Sequence, residues 1–205
     1  VGLYSKYILP KLVHCACSSE YNMAQRGRVV PRAKGKVLEV GIGSGLNLPY
    51  YDPELVEKVW GLDPSAELLA MAAREAQKVD VDVELLTERG EEIPLDDGSV
   101  DTVLSTFTLC SIPDTRRALA AMARVLKPGG ELLFCEHGVA PDASVRRWQT
   151  GLNPIWKRVG GGCHLNRPIP ALIEQGGFEL TALKARYMPG WRWASYQYWG
   201  SATPL

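Results

Sequence analysis

The chain has no surplus of either charge. Its 23 Lys and Arg side chains match its 23 Asp and Glu, so the formal net charge is zero. Nonspecific nucleic-acid binding needs excess cations against phosphate, so nucleic acid is not an expected partner. The same balance argues against an acidic solvating tail. Long apolar runs are also missing. The longest are strand-sized, short of the roughly 20 residues that cross a bilayer, so no membrane span is expected. Cysteine is sparse: Cys15, Cys17, Cys110, Cys135 and Cys163 are odd in number and scattered. That pattern does not read as a disulfide framework. Cys15-x-Cys17 lacks the two-residue spacer of a zinc knuckle or thioredoxin motif, and no second pair completes a metal site, so no metal is expected. A reducing cytoplasm is the simplest location. The sequence starts at Val1-Gly2 without an initiator Met, which leaves open a segment ahead of it.

What is present is the alternation of an α/β sheet in 205 residues, the size of one domain. Short β-branched runs at 36–40, 57–62, 81–87, 99–105 and 131–136 read as strands. Helical spacing covers 65–78, with Ser65 as N-cap, and 115–126, closed by Pro128-Gly129-Gly130. Residues 144–159 read as a helix interrupted at Pro154 and ended by Gly160-Gly161-Gly162. A short helix at 170–175 leads to two closing strands at 178–187 and 191–200. Residues 1–33 read as an N-terminal helical arm, 34–140 as a cofactor-binding core, and 141–205 as acceptor-side helices and closing strands, all in one domain. No internal repeat or low-complexity linker appears.

The chemistry starts at Glu39-Val40-Gly41-Ile42-Gly43-Ser44-Gly45, directly after the first strand. Glycines turn the chain sharply and let backbone approach a ligand. The spacing is G-x-G-x-G; the third position of a dinucleotide fingerprint is Leu46 here, and no Walker Lys-Ser pair follows. A carboxylate at Glu39 suits a cationic ligand better than a phosphate. S-adenosylmethionine carries a sulfonium and an ammonium and has no phosphate. Asp63, 18 residues past Gly45 and at the end of the second strand, can accept from two ribose hydroxyls. The competing reading is a tight strand-to-helix turn and nothing more.

On these residues the chain resembles the class I S-adenosylmethionine-dependent methyltransferases. Val37–Gly45 is similar to their first motif and Gly61–Ser65 to their second. Gly90–Leu95, Asp97–Val103 and Arg124–Gly130 follow in family order. Thr108–Ile112, Glu136-His137, Trp148-Gln149, Asn153–Trp156 and Gly162–Arg167 further resemble the group that includes the alkyl-thiol S-methyltransferases. The resemblance implies a Rossmann-like sheet of about seven strands, the last antiparallel, with helices on both faces. It implies S-adenosylmethionine as cofactor, held by Glu39, Gly41, Gly43 and Gly45 at the methionine end. Asp63 would bind the ribose and Gly90 and Glu91 the adenine, with Leu62, Pro64 and Ile93 as apolar contacts. Eukaryotic members carry a hydrophobic N-terminal membrane segment, and no such stretch occurs in this sequence.

Three groups are catalytic candidates. His137 follows the fifth strand and has a suitable unperturbed pKa of about 6.5 for a base. The alternative is a structural histidine. Cys110, after the fourth strand, lines an acceptor pocket or is a small buried hydrophobe. Asn166, with Arg167, orients substrate or caps the next helix. A base is optional, because the donor is already activated and positioning at about 3 to 3.5 Å supplies much of the rate. Trp148, Trp156, Trp191, Trp193 and Trp199 read as an aromatic acceptor pocket or as core. The arm would act as a lid, as ordinary packing, or as a weak membrane-surface face. The expected function is methyl transfer to a small molecule, with a thiol as first choice. Its rivals are phosphatidylethanolamine or quinone-type methylation, a non-catalytic cofactor-binding regulator and, last, nicotinamide chemistry. Oligomeric state is not legible.

Overall fold

A computed structural model describes residues 3–205. Seven strands form one sheet: β1 (Gly35–Val40), β2 (Val56–Leu62), β3 (Asp82–Leu86), β4 (Val100–Thr106), β5 (Leu126–His137), β6 (Phe178–Tyr187) and β7 (Tyr196–Pro204). Their spatial order is β3-β2-β1-β4-β5-β7-β6. The first five pair in parallel, and β7 runs antiparallel to both β5 and β6. This is the expected seven-stranded Rossmann-like sheet with its late antiparallel strand. Six α-helices surround it: α1 (Leu9–Cys17), α2 (Glu20–Val29), α3 (Ala66–Ala76), α4 (Thr115–Val125), α5 (Ala143–Val159) and α6 (Ile169–Gln175). A π-helical turn at Tyr4–Ile8 precedes α1. Among the described residues no helix is long and apolar enough to cross a membrane.

The central strands are buried on both faces, and successive side chains divide between them. Leu38, Val103, Leu132 and Phe134 pack with Leu119 and Met122 of α4 and Ile173 of α6. Their neighbours Val37, Leu104, Leu133 and Cys135 pack with Val29 of α2 and Leu69 of α3. A one-residue slip in any central strand would exchange these two cores, so their fit fixes the register. α3 starts where expected: the Ser65 hydroxyl accepts from the Leu68 N–H at 3.2 Å.

Three elements differ from expectation. Pro128-Gly129-Gly130 neither ends α4, which stops at Val125, nor precedes the fifth strand. Chain that pairs with β4 already begins at Leu126, and the register jumps from Val100–Leu126 to Thr102–Glu131, so Lys127 to Gly130 bulge out of the ladder. A Lys127–Asp101 ion pair at 2.8 Å ties the bulge down. α5 runs through Pro154 without a break. The proline removes a bond to the Thr150 carbonyl, and both residues lie on the exposed side of the helix, where water can satisfy it. The last strand starts at Tyr196, and Trp191 to Ser195 form a turn before it. There the Trp193 ring stacks on Trp191, with centroids 5.3 Å apart.

Candidate active site

The parallel order reverses between β1 and β4. In an open α/β sheet a crevice opens at that reversal, beyond the carboxyl ends of the strands. A cavity of about 510 Å³ lies there, within the range of small-molecule sites. The glycine loop after β1 forms one wall, the ends of β2 and β4 form others, and α1 forms a roof.

The loop owes its shape to backbone only glycine adopts easily. Gly41 has φ +75°, and a Cβ there would stand 2.2 Å from the Thr108 hydroxyl. Gly43 has φ +56°, and its Cβ position meets no side chain. Both line the cavity. Gly45 does not. It lets the loop rest on α3, with a Cβ position 3.1 Å from the Ala72 backbone.

Asp63, at the end of β2, also lines the cavity and is 8% exposed. Its Oδ2 accepts from the Gly43 N–H at 3.1 Å and its Oδ1 from the Ser65 N–H at 2.8 Å. The carboxylate thus joins loop to strand and keeps further lone pairs for a ligand. Burial raises its pKa, against those two N–H groups.

Glu39 is placed differently from the expectation. It is buried beneath the loop and is not a cavity residue. Its oxygens accept from Asn47 Nδ2 at 2.8 Å and from the Tyr51 hydroxyl at 2.6 Å. Burial lifts its pKa to about 7 against these bonds and the nearby Arg26 charge. Pro64, Gly90, Glu91 and Leu62 line the cavity as expected, whereas Ile93 belongs to the core behind it. Glu91 also accepts from the Asp114 N–H at 3.2 Å, at the start of α4.

Arg26 is a site residue that the sequence pattern did not single out. It lines the cavity at 5% exposure. Its Nη1 donates to Asn47 Oδ1 at 2.7 Å and Thr106 Oγ1 at 2.6 Å, and the guanidinium lies 5.1 Å from the Phe107 ring centroid. Its buried Nε has no protein partner. The arm carrying it is fastened over the crevice at two points. His14 Nδ1 and Ser44 Oγ are 2.7 Å apart, and the Tyr4 hydroxyl donates to the Val159 carbonyl at 2.7 Å.

The catalytic candidates lie beyond the cavity lining. His137 Nε2 is 3.0 Å from Cys163 Sγ, which is 3.6 Å from Cys110 Sγ. Trp156 Nε1 donates to the same Cys163 sulfur at 3.3 Å. The hydrogen bond shared with Cys110 lowers the Cys163 pKa, with the His137 cation adding to it against burial. Burial works against the His137 cation, but the Cys163 charge outweighs it and its pKa rises. Asn166 finds no side-chain hydrogen-bond partner among the described residues, while Arg167 donates to the Leu109 carbonyl. Gln149 is 1% exposed and is a clamp. It accepts from the Ala140 N–H and donates to the carbonyls of Gly138, Leu165 and Trp193. Trp148 is 66% exposed and is not among the residues that line the cavity.

Residues 38–134 match the family model described as a methyltransferase domain. The chain belongs to the class I S-adenosylmethionine-dependent methyltransferases, whose cofactor is S-adenosylmethionine. Within that class it is similar to thiol S-methyltransferase TMT1B of Homo sapiens, 35% identical over 78% of this chain and 67% of that protein. It is likewise similar to TMT1B of Rattus norvegicus, 36% identical over 77% of this chain and 65% of that protein. The chain therefore spans about two thirds of the length of these relatives. Among solved structures, a geranyl diphosphate methyltransferase in complex with SAM superposes with a TM-score of 0.71, at 15% identity, over 90% of this chain and 86% of that one.

Proposed function

We propose that this chain transfers a methyl group from S-adenosylmethionine to a small alkyl thiol. The carrying observation is the crevice at the β1/β4 reversal, where the Gly41–Gly43 backbone and Asp63 are locked together and roofed by α1. The cradle fits the donor's chemistry: open backbone at Gly43, a carboxylate with spare lone pairs, and no Walker lysine. In this reading Gly41 and Gly43 hold the methionine end by backbone. Arg26 lends its charge to the donor carboxylate from the cavity wall. Asp63 takes the ribose, and Leu62, Pro64, Gly90 and Glu91 frame the adenine. Glu39 acts from below as a positioning residue, through Asn47 and Tyr51. The bound sulfonium supplies an already activated methyl group. What the protein adds is alignment of the acceptor within reach and exclusion of water by α1.

The thiol is favoured over the lipid or quinone acceptors by the names of the relatives and by the Cys110, His137 and Cys163 side chains behind the acceptor wall. A thiol with a pKa of about 8.5 already supplies a few per cent thiolate at neutral pH. Nothing in Asn166's contacts supports an orienting role. Isothermal titration with S-adenosylmethionine tests the donor. Wild type is expected to bind and Asp63→Ala to lose about 10- to 100-fold, the worth of one or two bonds to a charged group. A folded wild type giving no heat refutes the reading. A panel of small thiols, amines and phenols tests the acceptor, and methylation of amines alone would defeat the thiol assignment.

A further inference from the structure

Cys110, His137 and Cys163 are separated in sequence yet meet at one point. Cys110 sits in the loop after β4, His137 ends β5, and Cys163 follows the glycines that end α5. Their ligand atoms all lie within 4.8 Å of one another. Tetrahedral zinc, with bonds of about 2.3 Å to sulfur and 2.0–2.1 Å to nitrogen, sets edges of about 3.8 Å between two sulfurs and about 3.6 Å between sulfur and nitrogen. The observed 3.6 Å from Cys163 to Cys110 is about 0.2 Å short of its edge and the 3.0 Å from Cys163 to His137 about 0.6 Å short, with Cys110 and His137 within 4.8 Å, so side-chain rotations of about that size would seat the ion.

The donor set is two thiols and an imidazole, which suits zinc and other thiophilic metals and not magnesium or calcium. Outer groups are already in place. The Trp156 indole N–H points at the Cys163 sulfur at 3.3 Å, the kind of support that steadies a ligating thiolate. Glu136, buried beside His137 in sequence, keeps one oxygen without a protein partner. A disulfide between Cys110 and Cys163 is the competing use of the pair. It would need the sulfurs to close to about 2.05 Å and would leave the imidazole idle. The cluster also stands next to the cavity. Ser111 and Gly161, one and two residues from Cys110 and Cys163, are on its wall, and both His137 and Cys163 are only partly buried.

We propose that Cys110, His137 and Cys163 form a three-ligand site for a zinc-type divalent metal, with its fourth position open toward the cleft for the acceptor thiolate. The fourth-position claim rests on the thiol reading above; the metal site itself does not. On ligation the acceptor thiol would release its proton to solvent. A sulfur electron pair then forms the new bond to the methyl carbon. The donor's carbon–sulfur bond breaks, and its electron pair stays on the donor sulfur as a neutral thioether. The metal's charge does not change.

The test is titration of the demetallated full chain with Co²⁺ under a phosphine reductant. The expected result is one Co²⁺ per chain, with the strong visible bands of a tetrahedral ion and a thiolate charge-transfer band. Cys110→Ser and Cys163→Ser should each lose the charge-transfer intensity, while Cys15→Ser, at an exposed cysteine, should keep it. S-adenosylmethionine titration of each variant reports whether it is folded. Adding 2-mercaptoethanol should then shift the charge-transfer band without releasing the ion. A folded, donor-binding wild type that takes up no Co²⁺ overturns the site. Uptake with no shift, or a tetrahedral spectrum lost on Cys17→Ser, a change to the α1 cysteine that lines the cavity, overturns the open position. Co²⁺ uptake without methylation of any thiol would instead sink the thiol reading and leave the metal site standing.

Discussion

The glycine-loop wall of the cleft and the side-chain cluster behind it are built in opposite ways. At the proposed donor end, the wall is made by short continuous segments, residues 40–44 and 62–65. At the proposed acceptor end, three side chains drawn from 110, 137 and 163 meet only because β4 lies beside β5 and the loop after α5 bonds to the Cys110 carbonyl through the His164 N–H. The first is backbone geometry and tolerates little change at a glycine. The second is side-chain chemistry and depends on what holds distant loops together.

The largest predicted effect breaks the donor end alone. Gly41→Val puts a branched side chain at φ +75° and drives its Cβ into Thr108. Positive φ on a β-branched residue costs on the order of 1–3 kcal/mol before any clash. Calorimetric binding of S-adenosylmethionine should vanish and the melting temperature should fall. If the variant binds the donor with wild-type affinity, the loop is not the donor's cradle.

The next prediction breaks the acceptor end. Gln149→Ala removes one buried amide and strands the Ala140 N–H and three carbonyls. Losing a buried hydrogen-bonded group costs about 1–3 kcal/mol per stranded partner set, so a loss of about 3 kcal/mol is expected in urea melts. The loop that carries Leu165 should loosen, raising the acceptor KM while donor affinity stays within about twofold. Equal damage to both would show that the two ends are not separable.

The same contrast explains what could be read in advance. The five parallel strands and α3, α4 and α6 were legible because each carries its own period and its own stop. Pro154 misled because it normally ends a helix; only the fold shows that Thr150, whose carbonyl it frees, lies on the exposed side. Trp191-Arg192-Trp193 resembles a strand by composition, but it turns. Asp63, Gly41 and Gly43 were legible as cavity residues because their roles follow from neighbouring chain. Glu39 was read one layer too high, since nothing local tells that Asn47 and Tyr51 take both its oxygens. Cys110 and His137 were legible singly, one just past the carboxyl end of β4 and the other at the carboxyl end of β5. Their meeting with Cys163 was not, because it depends on sheet order and on where α5 stops. Arg26 gave no signal beyond an ordinary helix charge.

Glu39 also gives a pH test that sharpens the donor side. Its folded pKa, about 7, lies above the ordinary 4.5 because burial disfavours the charge. A raised pKa means that this group's contribution to stability is fully present below pH 4.5 and is lost as pH rises through about 7. A shift of that size is worth roughly 2–4 kcal/mol. Glu39→Gln cannot ionise, and its amide can still accept from Asn47 and donate to Tyr51. Relative to wild type it should therefore gain about 2–3 kcal/mol between pH 4.5 and pH 8.5 in denaturant melts. A constant difference across that range would show that Glu39 is not forced toward neutrality.

The smallest effect separates the donor wall from the helix behind it. Ser65 caps α3 through the Leu68 N–H and gives its own N–H to Asp63. Only the first of these uses the side chain. Ser65→Ala should cost about 1 kcal/mol of stability, the usual worth of a helix cap. Because the backbone N–H survives, Asp63 keeps its orientation and donor affinity should move by less than about threefold, a shift of about 0.6 kcal/mol. A tenfold loss of S-adenosylmethionine affinity in a well-folded Ser65→Ala protein would mean that the hydroxyl itself meets the donor. The donor end would then depend on side chains as the acceptor end does.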